Sequence, residues 1–358
     1  MISVIGAGPA GSFYSSRVKN EEVHLFEEHK TVGKPVACTG ILTDSVKSII
    51  KVPDSLVVSK IKRFKIVSPN GKSLYIDLKK TNMVLDRAMF DLFLFNKAVD
   101  NGVKIHLGEK FLGYKTISKN NYIIKTNKKS YSTNMIVGSD GPKSQVAKSA
   151  GIYGDRKFIW GWQARAKFPE LEEGTTEIRL NHGEFSWIVP EDNKIARVGV
   201  LGLKNKSLLN DYNKILGSSK ILEDQSGIIP LYNPKQELRK GREDIFLIGD
   251  AATQVKATTY GGIIYGLLAG SYLAENKETY VKTFNGKLGK DLWISLKMRN
   301  LMNKMTETQA NELIEIFEKQ ENSKILSEHD RDFPSKFIVQ LLMKEAKLWK
   351  LGFQLLKK

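Results

Sequence analysis

The chain has 358 residues, 41% of them hydrophobic and 27% charged, with a formal net charge of +17. That length can fill more than one core, and no uninterrupted apolar run reaches the ~20 residues of a membrane-spanning helix. A single cysteine, Cys38, excludes an internal disulfide and fits a reducing compartment, and five scattered histidines offer no metal-ligand spacing. The first strand starts at Ile2, which leaves no room for a signal peptide before it, so a cytoplasmic location is expected. The cationic excess fits an anionic membrane surface, or a lysine-rich composition without a partner, better than nucleic acid, because no nucleic-acid reading module is present.

Taken along the chain, Ile2-Ser3-Val4-Ile5 is an apolar strand that runs into Gly6-Ala7-Gly8-Pro9-Ala10-Gly11, and Glu27 closes the next apolar run at 23–26. Strand, G-x-G-x-x-G loop, helix and acid together make the geometry that seats a dinucleotide. Gly6 permits the tight turn, Gly8 lets the backbone approach a pyrophosphate, and Gly11 allows close helix–strand packing. The helix start offers free N–H groups to phosphate, and Glu27 is spaced to accept from a ribose. A loop at 33–40 and a hairpin, 63–67 and 72–76 about a turn at 68–71, come next. A helix is predicted from Arg87 to about 101, stopped by Asn101-Gly102, then strands at 104–107, 122–126 and 135–137. Residues 151–235 read as mostly β. A buried strand at 245–248 leads through Gly249-Asp250 to a small-residue helix at 261–274, and the chain beyond 280 is helical and lysine-rich. The expected organisation is a discontinuous nucleotide domain (1–53, 82–150, 236–280), an interleaved β-rich domain (54–81, 151–235) and a helical region (281–358).

Two further motifs make the nucleotide reading specific. Gly138-Ser139-Asp140-Gly141 follows a strand and turns into a helix, although Asp-Gly is also an ordinary turn pair. Asp250 ends a buried strand, where its carboxylate can bond a ribityl chain, and the Gly262 and Ile263 amides at a helix start can approach a pyrophosphate or a flavin carbonyl. All three motifs in this order resemble the FAD-dependent oxidoreductases of the p-hydroxybenzoate hydroxylase type. Within them the chain is most similar to the geranylgeranyl reductase family, which includes archaeal digeranylgeranylglycerophospholipid reductases. The residues that carry the resemblance are the loop Gly33-Lys34-Pro35-Val36-Ala37-Cys38-Thr39-Gly40, the segment Asp86-Arg87-Ala88-Met89-Phe90-Asp91, and Phe185-Ser186-Trp187-Ile188-Val189-Pro190. Thr39, Phe185 and Val189 depart from the family pattern, which weakens the substrate assignment and leaves the FAD assignment intact. The likeness spans residues 1–275.

The resemblance implies an α/β fold with a Rossmann-like FAD domain, an interleaved antiparallel sheet and a helical C-terminal region. It implies FAD contacts at Ala10, Glu27, Cys38, Thr39, Ile41, Arg87, Phe111, Asp250, Gly262 and Ile263, beside the glycines Gly6, Gly8 and Gly11. The implied reaction is saturation of isolated C=C bonds in a polyprenyl lipid, with hydride from reduced FAD and electrons from NAD(P)H or a ferredoxin-like donor. Such a substrate asks for an apolar slot, for which Trp162, Phe185 and Trp187, with Trp160, are candidates; ordinary sheet core is the alternative. Cys38 and Tyr260 are candidate proton donors, each equally readable as packing. The rival functions are an aromatic-ring monooxygenase and a flavin-bearing membrane-surface protein without turnover; a plain NAD dehydrogenase fits Gly249-Asp250 poorly. Residues 337–358 read as a basic amphipathic helix, with Gln340, Lys344, Lys347, Gln354 and Lys358 near one face, either lying in a bilayer interface or packed on the protein's own core.

Overall fold

In the computed structural model, which describes residues 1–356 apart from Pro169 and Asn181, four consecutive buried residues form β1 (Ile2–Ile5). A turn through glycine leads to α1 (Pro9–Arg17) and back to β2 (Val23–Glu27). Short β3 (Ile41–Leu42) precedes a long hairpin, β4 (Val57–Val67) and β5 (Ser73–Leu85), and α2 (Arg87–Asp100) leads to β6 (Lys104–Leu107). A meander of β7 (Phe111–Ser118), β8 (Asn121–Thr126) and β9 (Ser130–Thr133) is followed by β10 (Met135–Gly138) and α3 (Gln145–Ser149). Then come β11 (Phe158–Lys167), β12 (Thr175–Arg179), β13 (Phe185–Pro190), β14 (Ile195–Gly202), α4 (Lys206–Leu216) and β15 (Lys220–Pro230). The strand β16 (Ile245–Leu247) leads to α5 (Ile263–Glu275), and from Tyr280 the chain is mostly helical, through α6 (Tyr280–Phe284), α7 (Lys290–Met302), α8 (Glu307–Glu318) and α9 (Gln320–Glu328) to α10 (Ile338–Lys344) and α11 (Ala346–Leu356).

The chain divides into two compact units: Met1–Val36, Arg87–Lys157 and Ile229–Trp293 in one, Ala37–Asp86, Phe158–Ile228 and the chain from Ile294 in the other. The first unit holds an all-parallel sheet in the order β16-β10-β1-β2-β6 and a separate antiparallel β7-β8-β9 sheet. Three of its strands, β1, β10 and the edge strand β16, are buried along their whole length, as parallel strands covered on both faces are. From β1 the chain moves to β2 on one side, while β10 joins from the other. Such a divergence at the carboxyl ends of the strands marks the usual ligand position in open α/β sheets. A Cβ on Gly270 of α5 would stand 3.3 Å from the Ala10 carbonyl, so these small residues let α5 cross α1 closely.

The second unit is built on an eight-stranded sheet in the order β15-β11-β14-β13-β12-β4-β5-β3, in which β4 and β12 run parallel while β11–β14, β14–β13, β13–β12, β4–β5 and β5–β3 are antiparallel. The stretch expected to be mostly β also contains α4. Its Leu208, Tyr212 and Leu216, one turn apart, seal Ala164, Ala166, Ala196, Val198 and Val200 on one face of that sheet.

Candidate functional site

The carboxyl ends of the parallel strands collect four of the motifs read from the first unit: the glycine loop after β1, Glu27 ending β2, Ser139-Asp140 after β10 and Gly249-Asp250 after β16. Gly6 turns with φ +100°, and a Cβ there would stand 2.4 Å from the Ser139 carbonyl oxygen. One on Gly11 would meet the Gly6 carbonyl at 2.1 Å, yet one on Gly8, which is extended (φ −67°), meets nothing within 4 Å. The protein therefore presses on the loop from inside and leaves the outer side of Gly8 open. Ser139 clamps the turn, its hydroxyl donating to the Ile5 and Gly6 carbonyls at 2.8 Å each. Glu27 ties down the other side. One carboxylate oxygen accepts the Ala7 N–H at 2.9 Å, and the other accepts the His29 N–H at 2.9 Å and lies 2.6 Å from His29 Nδ1.

Asp140 caps α3, accepting from the Ser144 hydroxyl (2.5 Å) and the Gln145 and Val146 amides (2.6 and 3.0 Å). Asp250 differs. It is half-buried, and among the described residues no donor bonds its carboxylate. Burial pushes its pKa up to about 6, against the pull of Arg87 and Arg156. Arg87, the first residue of α2, forks onto the buried Asp91 at 3.0 and 3.1 Å, an i,i+4 pair in the interior rather than on the helix surface. Gly262 lies against Asp250, where a Cβ would stand 3.0 Å from Oδ1, and Ile263 opens α5. Phe111 is buried at the start of β7, and buried Tyr260 has φ +55°.

Two residues that no motif announced hold this region. Arg156 donates to the carbonyls of Pro142 (3.0 Å), Tyr153 (2.8 Å) and Ala251 (2.6 Å), linking the turns after β10 and β16. Gln254, fully buried, accepts the Gly249 N–H at 2.7 Å and donates to the Tyr280 hydroxyl at 2.9 Å.

The second unit carries a different cluster. In the sheet Gln163, Gly199 and Trp187 stand side by side on β11, β14 and β13, so their side chains share a face. The Trp187 ring covers Gly199, where a Cβ would fall 2.3 Å from Cζ2. The Gln163 side-chain carbonyl accepts from Trp187 Nε1 (3.2 Å) and from the Thr39 hydroxyl (2.6 Å), and its amide donates to Gln225 (2.8 Å). Arg197 on the same face donates to the carbonyls of Thr39 (2.5 Å) and Leu85 (2.8 Å), while buried Glu191 binds both Arg197 and Arg165. The segment bearing Cys38, Thr39 and Ile41 is thereby fixed on this face; the Cys38 thiol, half-exposed, accepts the Gly40 N–H at 3.4 Å. Phe185 stands two residues from Trp187 on the same face, with ring centroids 5.9 Å apart. Trp160 and Trp162 do not join them: they lie on the opposite face, packed with the α4 core. The four aromatics therefore do not line one slot.

No family model matches the chain. A digeranylgeranylglycerophospholipid reductase of Methanosphaera stadtmanae is 25% identical over 89% of this chain and 91% of its own. One of Methanosarcina acetivorans is 27% identical over 84% of each. Among solved structures, a geranylgeranyl bacteriochlorophyll reductase-like protein from Thermoplasma acidophilum superposes with a TM-score of 0.80 at 18% identity, covering 98% of both chains. The chain is thus similar over most of its length to proteins named digeranylgeranylglycerophospholipid reductases, and its fold is p-hydroxybenzoate hydroxylase-like, as in flavin-dependent enzymes.

Proposed function

We propose that the protein is an FAD-dependent reductase that saturates C=C bonds of geranylgeranyl chains in membrane lipid precursors. The observation that carries this reading is the reach of the sequence match, since relatives named for that activity align with 89% and 84% of the chain. The open outer side of Gly8 and the Asp250 carboxylate without a donor support a flavin dinucleotide as the ligand, because the first suits a pyrophosphate and the second suits a ribityl hydroxyl. In this reading Gly6, Gly8, Ala10 and Gly11 hold the pyrophosphate, Glu27 the ribose, and Phe111 the adenine edge. Arg87, Asp250, Gly262 and Ile263 hold the remainder, together with Cys38, Thr39 and Ile41.

When bound, FAD supplies the hydride, which is the hard step. An isolated alkene has no carbonyl to polarise, so the chain needs no oxyanion hole; its residues position the substrate and exclude water. Phe185 and Trp187 offer the apolar wall, and Gln163 fixes the indole through Nε1. The proton comes from the Cys38 thiol or the Tyr260 hydroxyl, the two candidates of the site. Mass spectrometry of small molecules released from the purified protein tests the reading: FAD, accompanied by a polyprenyl lipid, is expected. A colourless protein that refuses added FAD would overturn it.

A further inference from the structure

We propose that the outward face of the last two helices docks on an anionic lipid surface, with Trp349 and Phe353 entering the interface. Burial alone explains only one side of these helices. Leu341, Leu351 and Leu355 are buried, and Leu341 joins Ile325 and Phe337 in a small core against which Leu348 packs. That meets the need of an amphipathic helix for a covered apolar stripe. The opposite side is nevertheless apolar too. Val339 and Met343 are 58% and 81% exposed on α10, and Trp349 and Phe353 are 51% and 59% exposed on α11. Each pair is spaced i,i+4, which makes a stripe rather than scattered residues. The two aromatic rings stack at 6.2 Å, and Trp349 Nε1 donates to the Leu342 carbonyl at 2.8 Å, so the indole is held in place with half of its surface exposed.

The charges around the stripe select its partner. Lys336, Lys344, Lys347 and Lys350 are exposed on the two helices and the turn before them. The acid of this stretch, Glu345, is buried and bonded to Lys319 and Asn322. The outward surface therefore presents one sign of charge around aromatic and aliphatic side chains, the composition of an interfacial helix on anionic lipid. The inference is independent of the proposed reductase chemistry.

Flotation of the flavin-loaded full chain with vesicles tests it. Vesicles of equal parts phosphatidylcholine and phosphatidylglycerol should carry the protein, and phosphatidylcholine alone should carry far less. Trp349→Ala with Phe353→Ala should weaken partitioning by about tenfold or more. Lys347→Gln and Lys350→Gln should each weaken it about fivefold. Both side chains of the aromatic pair lie outside the small core of Ile325, Phe337 and Leu341, so the variant should stay folded with a melting temperature lowered by only a few degrees, which separates lost docking from lost fold. A wild-type protein that fails to float, or an aromatic variant that floats equally well, overturns the proposal. So does a wild-type dimer that the aromatic variant converts to a monomer with no vesicle binding by either, because the stripe then joins two copies.

Discussion

The glycine loop after β1 and the Gln163–Trp187 face of the second unit's sheet place polar groups by opposite means. The loop is defined by absent side chains: an added Cβ would strike backbone at Gly6 and Gly11, and the N–H groups of the turn and helix start are its polar equipment. The sheet face is defined by side chains that reach one another across long sequence separations, with Thr39 and Trp187 both bonded to Gln163. A backbone-built region fails when volume is added, whereas a side-chain-built region fails when one shared acceptor is removed.

The first prediction attacks the loop at two neighbouring glycines. Gly11→Ala should cost about 3 kcal/mol or more, since its Cβ meets a backbone carbonyl that cannot yield, and bound flavin should be lost with it. Gly8→Ala should leave stability within about 0.5 kcal/mol of wild type, yet weaken flavin binding about tenfold or more, because the added Cβ meets no protein atom within 4 Å and would meet the proposed pyrophosphate. Thermal melts and flavin titration of the two variants read the contrast directly.

A second prediction concerns Asp250. Burial raises its carboxyl from 3.8 to about 6, so the folded apoprotein retains a proton that the unfolded chain releases. The stabilisation is fully present below about pH 4 and disappears as the pH climbs through about 6. The flavin-free protein should therefore gain up to about 3 kcal/mol on acidification across that window, and Asp250→Asn should flatten the dependence.

The smallest expected effect belongs to the sheet face. Gln163→Leu strands the Thr39 hydroxyl and the Trp187 indole N–H, which should cost about 1–2 kcal/mol in denaturant unfolding and weaken flavin binding less than Gly8→Ala does, because Arg197 still holds the Thr39 carbonyl. Equal losses of flavin affinity in Gln163→Leu and Gly8→Ala would erase the distinction between the two regions.

The same contrast governs what could be read from the sequence. The strand, loop and helix from Ile2 to Arg17, α2 from Arg87 and β6 at Lys104–Leu107 were legible because their signals are local: apolar runs, a glycine spacing, an Asn-Gly stop. The strand β7 was not, since Gly113 interrupts it and most of its residues are not buried. In α4 a signal was present, an Asn205 cap followed by Leu208, Tyr212 and Leu216 at helical spacing, but the surrounding β pattern masked it. Arg156, Gln254, Gln163 and Arg197 carry no motif. Each gains its role from partners brought near by the fold, 124 residues apart in the case of Gln163 and Thr39. The aromatics show the limit most plainly. Trp162 and Gln163 are neighbours in the chain, so strand alternation sends them to opposite faces, and only the register reveals which face holds Trp187.

The most direct test is turnover itself. The flavin-loaded protein, reduced anaerobically and mixed with a geranylgeranyl lipid, should yield products heavier by two hydrogens for each bond saturated, while the flavin is reoxidised in step. Reduced flavin that persists unchanged beside the lipid, yet is consumed rapidly with oxygen and an aromatic substrate, would contradict the account.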